Sequence, residues 1–199
     1  MSLELLNALA ALGTFVVIAA TAIAALFQLR HARNSNQIAA MTQLQEAAQT
    51  PHLEAAQNLV MTDLPARLED PEFRYEVRYP SARTRENAEF IGKINDVGNF
   101  FENMGLLVRM GAVDRDIAVA MWASIASGTW DRMLPYTAVA RRRTGDALWE
   151  NFEYLVVLSR SWMGSHPHGM YPPGVPRIEV PDVWREADTR YEASRPPSA

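Results

Sequence analysis

The chain contains 199 residues, of which 48% are hydrophobic and 21% charged, and its formal net charge is −4. This hydrophobic content excludes a disordered chain, and the negative net charge argues against a nucleic-acid partner, which would require a basic face. Because the sequence has no cysteine, disulfides, thiolate metal sites, iron–sulfur clusters and cysteine nucleophiles are excluded. No motif in the sequence implies a cofactor.

The first predicted element is a membrane-spanning helix. Residues 5–29 contain no charged side chain, and about 20 apolar residues are enough to cross the hydrocarbon core of a bilayer. A secretory signal peptide would begin with basic residues and have a shorter apolar core, of about 7–15 residues, whereas the charged residue here is Glu4. An uncleaved anchor is therefore preferred. Cleavage beside small residues such as Ala24, and a buried helix in a soluble core, are the alternatives.

Basic residues on one side of the predicted span indicate its orientation. Arg30 and Arg33 follow the span directly, and all 19 Lys and Arg residues of the chain lie after it. The positive-inside rule keeps such flanks in the cytoplasm. We therefore expect the amino terminus outside, the carboxyl-terminal domain in the cytoplasm, and both arginines at the membrane edge.

One side of the predicted span is lined by small and polar residues. At 100° per residue, seven positions fall within one sector of the helix, and small or hydroxyl residues on such a face allow membrane helices to approach closely. The face predicts contact with a second copy or with another membrane protein, and an anchor that faces lipid on all sides is the alternative. Its residues are Asn7, Ala10, Thr14, Val17, Thr21, Ala24 and Gln28.

The predicted helix continues beyond the membrane as a stalk. Neither Gly nor Pro occurs from Arg30 to Thr50, and Pro51 is the first helix breaker. This gives three predicted regions: a transmembrane helix and stalk at 1–50, a helical cytoplasmic domain at 51–163, and a Pro-rich extended segment with a short helix and a loose tail at 164–199.

The cytoplasmic domain is predicted to be a helical bundle, so the whole chain is assigned to the all-α class. Residues 83–110 form the clearest helix, because apolar side chains recur at spacings of three and four, and this helix is expected to form an antiparallel hairpin with the next. Asp114 is a suitable cap for that next helix, and Pro135 predicts its end. The predicted helices cover residues 52–61, 83–110, 115–133, a short segment from Pro135, and 146–162.

Two groups of residues on these helices are candidates for contacts. Small residues at Ala120, Ser124 and Gly128 predict a close approach by a neighbouring helix. The second group is a polar stripe, typical of a solvated face with ion pairs or of a protein interface, and less often of a cation or acid–base site. The stripe consists of Asn95, Asn99 and Asn103, accompanied by Glu89, Lys93, Asp96 and Glu102.

Basic and histidine residues offer two weaker candidate sites. The run from Arg141 to Arg143 is predicted to stabilise a helix end through its dipole, with anionic lipid as the alternative partner. His166 and His168 form a His-x-His pair, which can contribute to a metal site but requires further ligands; a polar loop is the ordinary explanation. The sequence contains no phosphate-binding loop, dinucleotide-binding glycine motif or nucleophile elbow.

Three segments resemble an uncharacterised bacterial family of single-span helical proteins, a domain of unknown function. They are QLRHARNSNQIAA at 28–40, EFIGKINDVGNFFENMGLLV at 89–108 and ALWENFEYLVVLSRSW at 147–162. The resemblance implies an amino-terminal membrane helix and a helical domain, and it implies no reaction or functional residue. Together with the orientation of the span, it places the protein in a bacterial inner membrane.

These patterns predict a membrane-anchored interaction protein. It would act as a homo-oligomer, or as an accessory or regulatory subunit of a membrane complex, with the lipid bilayer and other membrane proteins as partners. A membrane-tethered enzyme that uses a metal, and a sensor of a small ligand, are the alternatives.

Overall fold

The computed structural model describes the backbone of residues 2–194, and the side chains of this range except those of residues 4–6 and 8–11. The predicted loose tail at 195–199 lies outside the described residues. The chain divides into two compact units, Met1–Pro167 and His168–Ala199. Eight α-helices and no strand occur in the described part: α1 Leu3–Ala48, α2 Pro51–Thr62, α3 Leu64–Glu69, α4 Pro71–Arg78, α5 Arg85–Arg109, α6 Arg115–Thr144, α7 Glu150–Ser165 and α8 Arg185–Ser194. The predicted all-α class is confirmed.

Helix α1 is one continuous element of 46 residues, about 69 Å long at 1.5 Å per residue. Within Leu12–Ala48, a stretch of 18 residues has a mean hydropathy of 2.1, and 0% of this stretch is buried. The helix is long and apolar enough to cross a membrane, and its exposure contradicts the alternative of a buried core helix.

Side chains just before four helices bind the free backbone N–H groups of the first turn. Thr50, Asp70, Thr84 and Asp114 each accept a hydrogen bond from a backbone N–H two or three residues later. Such caps stabilise helix starts by about 1 kcal/mol each. The cap predicted at Asp114 is confirmed.

The core of the first unit forms around α7, which packs extensively on both α5 and α6. Phe152 of α7 stacks on Phe101 of α5, with ring centroids 4.7 Å apart, and meets Trp130 of α6 edge-on at 4.9 Å. Helices α5 and α6 contact each other over a short stretch only, where Phe100 lies 5.7 Å from Trp122. The expected hairpin contact between α5 and α6 is thus largely replaced by contacts through α7.

Two glycines of α5 lie directly against residues at the start of α7. A Cβ at Gly98 would overlap the indole of Trp149, and a Cβ at Gly105 would overlap the backbone carbonyl of Asn151. The expected close approach at the small residues of α6 is wrong. A Cβ at Gly128 would meet no neighbour within 4 Å, and the two other small residues, Ala120 and Ser124, are exposed.

The break expected at Pro135 is also wrong, because α6 continues through this proline to Thr144. Proline in a helix interior removes one hydrogen bond and strains the preceding turn. Here the residues on both sides anchor the helix in the core, since Met133 is 0% and Tyr136 2% exposed. Tertiary packing therefore outweighs the local preference.

Helix α7 begins later than the sequence predicts, at Glu150 rather than near Asp146. Trp149 precedes it in a left-handed conformation with φ 57°, and Gly145 ends α6 with φ 82°. Trp149 is 2% exposed and lies in the core. Insertion of its indole against α5 accounts for the unusual backbone.

The second unit contains a proline-rich stretch without regular structure and then α8. The Tyr171 hydroxyl donates to the carbonyl of Pro176 at 3.0 Å, and the Arg177 guanidinium lies 4.6 Å from the Tyr171 ring centroid. These local contacts shape the extended segment that its prolines predict.

Candidate functional site

The apolar part of α1 exposes large side chains that no other described element covers. Phe15 is 69%, Phe27 65% and Ile18 62% exposed. A continuous surface of exposed apolar side chains is typical of a region that faces a membrane or a partner. This part of α1 is therefore the first candidate site.

The face predicted on the span lies along one uninterrupted helix. Its described side chains are exposed in this chain, and the side chain of Ala10 lies outside the described residues. The Thr21 hydroxyl donates to the carbonyl of Val17 at 2.8 Å, so its hydrogen bond is made within α1. Thr21 can therefore present its methyl group to a neighbouring helix without an unpaired hydroxyl.

The carboxyl-terminal end of α1 joins the domain directly. Leu44 is 4% exposed, and Ala40, Met41 and Ala48 pack on the core. The Arg33 guanidinium lies 4.0 Å from the position that a Cβ would take at Gly111, in the turn between α5 and α6. The apolar part of α1 is thus joined to the domain through a continuous helix.

Arg30 and Arg33, predicted to lie at the membrane edge, are exposed on α1 just after its apolar part. Neither forms an ion pair within the described part of the chain. Their positive charge is therefore available to an anionic surface.

An apolar groove runs between the stalk portion of α1 and the beginning of α6. Its volume is about 430 Å³, and Ile38, Met41, Ile117 and Met121 supply its apolar lining. Ile38 is 68% and Ile117 52% exposed. The groove therefore continues the exposed apolar surface of α1 toward the domain.

The three asparagines of the polar stripe have different surroundings. Asn99 accepts a hydrogen bond from Trp149 Nε1 at 3.1 Å, and Asn95 is half-buried, whereas Asn103 is exposed. Asn95 and Asn99 line a cavity of about 260 Å³ together with Tyr136. Part of the stripe thus lines an open cavity of the domain, where Asn99 remains exposed.

Two acidic residues near this stripe bind other elements of the same domain. Glu102 accepts from the backbone N–H groups of Asn151 and Phe152, both at 2.9 Å, and so caps α7 from the neighbouring helix. Asp96 lies 2.8 Å from Nε2 of His52 on α2. These carboxylates hold the bundle together.

The two histidines considered as metal ligands fall in different units. His166 stacks on Trp162 with ring centroids 4.8 Å apart, and His168 begins the second unit. Among the residues that the structure describes, no group of three His, Cys, Asp or Glu side chains is placed to hold a metal ion.

A family model described as a domain of unknown function, DUF4760, matches residues 15–161. The chain belongs to the DUF4760 family. The resemblance to an uncharacterised family, seen first in the sequence, is thereby confirmed. Searches of the curated proteins and of the solved structures found no significant match.

The DUF4760 match extends from within the apolar part of α1 to the last turns of α7. It therefore includes three cavity residues that sequence analysis did not identify as a group, namely Arg83, Tyr136 and Arg143. Tyr136 and Arg143 lie seven residues apart on one face of α6, whereas Arg83 comes from the loop before α5. Only the packing of this loop near α6 brings Arg83 to the same cavity.

Proposed function

We propose that this DUF4760 protein is a membrane-anchored interaction protein whose α1 associates with another membrane helix. Its partner is a second copy of the chain or a subunit of a membrane complex. The domain would lie in the cytoplasm, and the membrane would be the inner membrane of a bacterium.

The observation that carries this proposal is the continuity of α1. Its apolar part is 0% buried in the chain itself, yet its other end is fixed in the core through Leu44, which is 4% exposed. Because no break separates the two, a partner that binds the span also fixes the orientation of the domain. A simple lipid anchor does not require such a rigid connection.

Packing at the small-residue face is the proposed means of contact. In membranes, helices associate through close van der Waals packing rather than through the hydrophobic effect. Thr14, Thr21 and Ala24 provide small side chains for this contact, with Ala10 one turn earlier. The bulkier residues of α1, such as Leu12 and Ile23, lie on the opposite side of the helix and would face lipid.

Matched substitutions on opposite sides of α1 test the proposal. Ala24→Leu enlarges the proposed contact face, and Ala19→Leu makes the same change on the opposite side. We expect Ala24→Leu to weaken assembly about tenfold, the effect of losing about 1.4 kcal/mol of helix packing, and Ala19→Leu to have little effect. Assembly size of the full chain in mild detergent, with identification of stoichiometric partners, is the measurement.

A cysteine cross-link provides a second readout, because the chain has no native cysteine. Thr21→Cys would form a disulfide between two copies in membranes if the face pairs with itself, and Ile23→Cys would not. A wild-type chain that is monomeric and without a stoichiometric partner would overturn the proposal. So would an assembly that responds equally to Ala24→Leu and Ala19→Leu.

A further inference from the structure

A polar cavity that is open to solvent lies between α4, α5, α6 and the loop that joins α6 to α7, and Asn99 and Arg143 in its lining are exposed. Its volume is about 260 Å³, and its lining includes Arg83, Asn95, Asn99, Tyr136 and Arg143. Pockets for drug-sized ligands usually measure roughly 300–1,000 Å³, so this space fits a smaller molecule. None of the described residues that line it is Asp or Glu.

The positive charge of the cavity comes from two arginines without an acidic partner in the described part of the chain. Arg83 donates from Nε to the backbone carbonyl of Glu76 at 3.0 Å. This neutral acceptor orients the guanidinium without forming an ion pair. Arg143 forms no ion pair with a described residue. Arg141, two residues earlier, differs in this respect, because it pairs with Glu153 at 2.8 Å.

Carboxylates on the neighbouring helices are engaged elsewhere. Glu76 Oε2 accepts from the backbone N–H of Thr84 at 2.9 Å, and Asp96 is paired with His52. Glu102 is bound to the first turn of α7. None of these three acids forms an ion pair with Arg83 or Arg143.

Tyr136 adds a hydroxyl to the same space. Its side chain is 2% exposed, and its ring stacks on Trp149 with centroids 6.0 Å apart. Burial raises the pKa of Tyr136 to about 12, and the positive charges of Arg83 and Arg143 oppose this rise. The hydroxyl is therefore protonated at neutral pH, and it forms no hydrogen bond to another described residue.

The asparagines complete a set of hydrogen-bond donors. Asn99 accepts from Trp149 Nε1 through its Oδ1 at 3.1 Å, which leaves its Nδ2 group to donate. Asn95 lies one helical turn earlier and also lines the cavity. Guanidinium, hydroxyl and carboxamide donors around a small space match the oxygens of an anion, since arginine binds phosphate and carboxylate through paired N–H donors.

We propose that this cavity binds a small soluble oxyanion, namely phosphate or the phosphoryl group of a small metabolite. Arg83 and Arg143 bind its charge, and Tyr136 donates a hydrogen bond to one of its oxygens. No described residue accepts a hydrogen bond from this hydroxyl, so a ligand oxygen can do so.

The position of the cavity favours a soluble anion over a lipid headgroup. The turn between α5 and α6 lies beside Arg33, close to the end of the span. Tyr136 follows Arg115, the first residue of α6, by about 30 Å along the helix at 1.5 Å per residue. The cavity is thus at the far end of α6 from the part of the domain nearest the span.

The binding site is independent of the proposed association of α1, so the two proposals can fail separately. A bound anion would connect α5, α6 and the α6–α7 loop. Binding of the anion would then change the stability of the domain. This is the behaviour expected of a small-ligand sensor, the alternative function that the sequence leaves open.

Neighbouring arginines provide a matched test. Arg143→Gln removes a charge from the cavity, and Arg142→Gln removes the same charge from an exposed residue that does not line it. Inorganic phosphate is titrated into the full chain in detergent at constant ionic strength, with thermal unfolding and ³¹P NMR as readouts. We expect stabilisation of the wild type and of Arg142→Gln, and binding at least about tenfold weaker in Arg143→Gln.

Tyr136→Phe keeps the stacked ring and removes the hydroxyl, and it should also weaken phosphate binding. This variant decides the result if Arg143→Gln does not fold. No phosphate response in the wild type, or an equal loss in Arg142→Gln and Arg143→Gln, would overturn the proposal. If vesicles with anionic lipid bound through Arg143 and phosphate did not bind, the proposal that the ligand is a soluble anion would be overturned.

Discussion

Single residues decide how closely α5 and α7 approach each other. At Gly98 and Gly105, any side chain would overlap Trp149 or the carbonyl of Asn151. Gly92 lies on the same helix and has no neighbour within 4 Å. Periodicity identifies the buried face of α5, but it does not distinguish a glycine that permits contact from one that does not. The small residues of α6 therefore predict a close approach that the molecule makes on α5 instead.

Paired glycine substitutions should separate these roles. Gly105→Ala should lower the free energy of unfolding by about 2–3 kcal/mol, because the added methyl group overpacks a well-filled contact. Gly92→Ala should raise it by up to about 1 kcal/mol, since alanine favours the helix and meets nothing. Denaturant unfolding of both variants in the same detergent is the measurement. Equal effects at the two positions would contradict the described contact between α5 and α7.

The role of Glu102 is a second feature that the sequence pattern does not predict. Its position on a polar stripe predicts a solvated carboxylate, yet it caps α7 through the N–H groups of Asn151 and Phe152. Negative charge at a helix start is favourable because of the free N–H groups and the helix dipole. A cap supplied by another helix has no local sequence pattern, so only the packing of α5 on α7 reveals it.

At the scale of elements, α6 differs most from its predicted form. Pro135 predicts an end, but packing of the residues beside it keeps α6 helical from Arg115 to Thr144. This continuity matters for the proposed anion site, because it carries Tyr136 and Arg143 on one rigid element. Two separate helices would not fix their separation.

Removing the proline should therefore stabilise the domain. Pro135→Ala restores a backbone N–H and relieves the strain of the preceding turn, so we expect an increase in unfolding free energy of about 1–3 kcal/mol. Ala138→Pro, at an exposed position of the same helix, should instead cost about 3 kcal/mol. Thermal unfolding compares the two. Destabilisation by Pro135→Ala would show that the core needs the conformation that proline imposes.

At the scale of the whole molecule, α1 has an exposed apolar part and a part that packs in the core of the domain. Its apolar portion is long enough to cross a bilayer, and its last turns belong to the core of the domain. Arg30 and Arg33 stand between these two parts. The positive charge of these arginines is the basis for the proposed orientation, with the domain in the cytoplasm. Because α1 is one continuous helix, the orientation of its apolar part also fixes the position of the domain.

Single cysteines can measure this orientation, because the chain has none of its own. With the domain in the cytoplasm, a membrane-impermeant maleimide should label Ser2→Cys in intact spheroplasts. It should label Ser124→Cys, on an exposed part of α6, only after lysis. The reverse pattern would place the domain outside and contradict the orientation assigned from the two arginines.

The sequence by itself determined the helical class, the long amino-terminal helix and the buried face of α5, since these depend on composition and on local periodicity. It also indicated the family. Tertiary structure decided the start of α7, the continuation of α6 through Pro135 and the grouping of Arg83, Tyr136 and Arg143. These features depend on contacts between residues far apart in the chain, and such contacts can outweigh local preference. A cavity formed by three separate elements therefore becomes visible only when the helices are packed together.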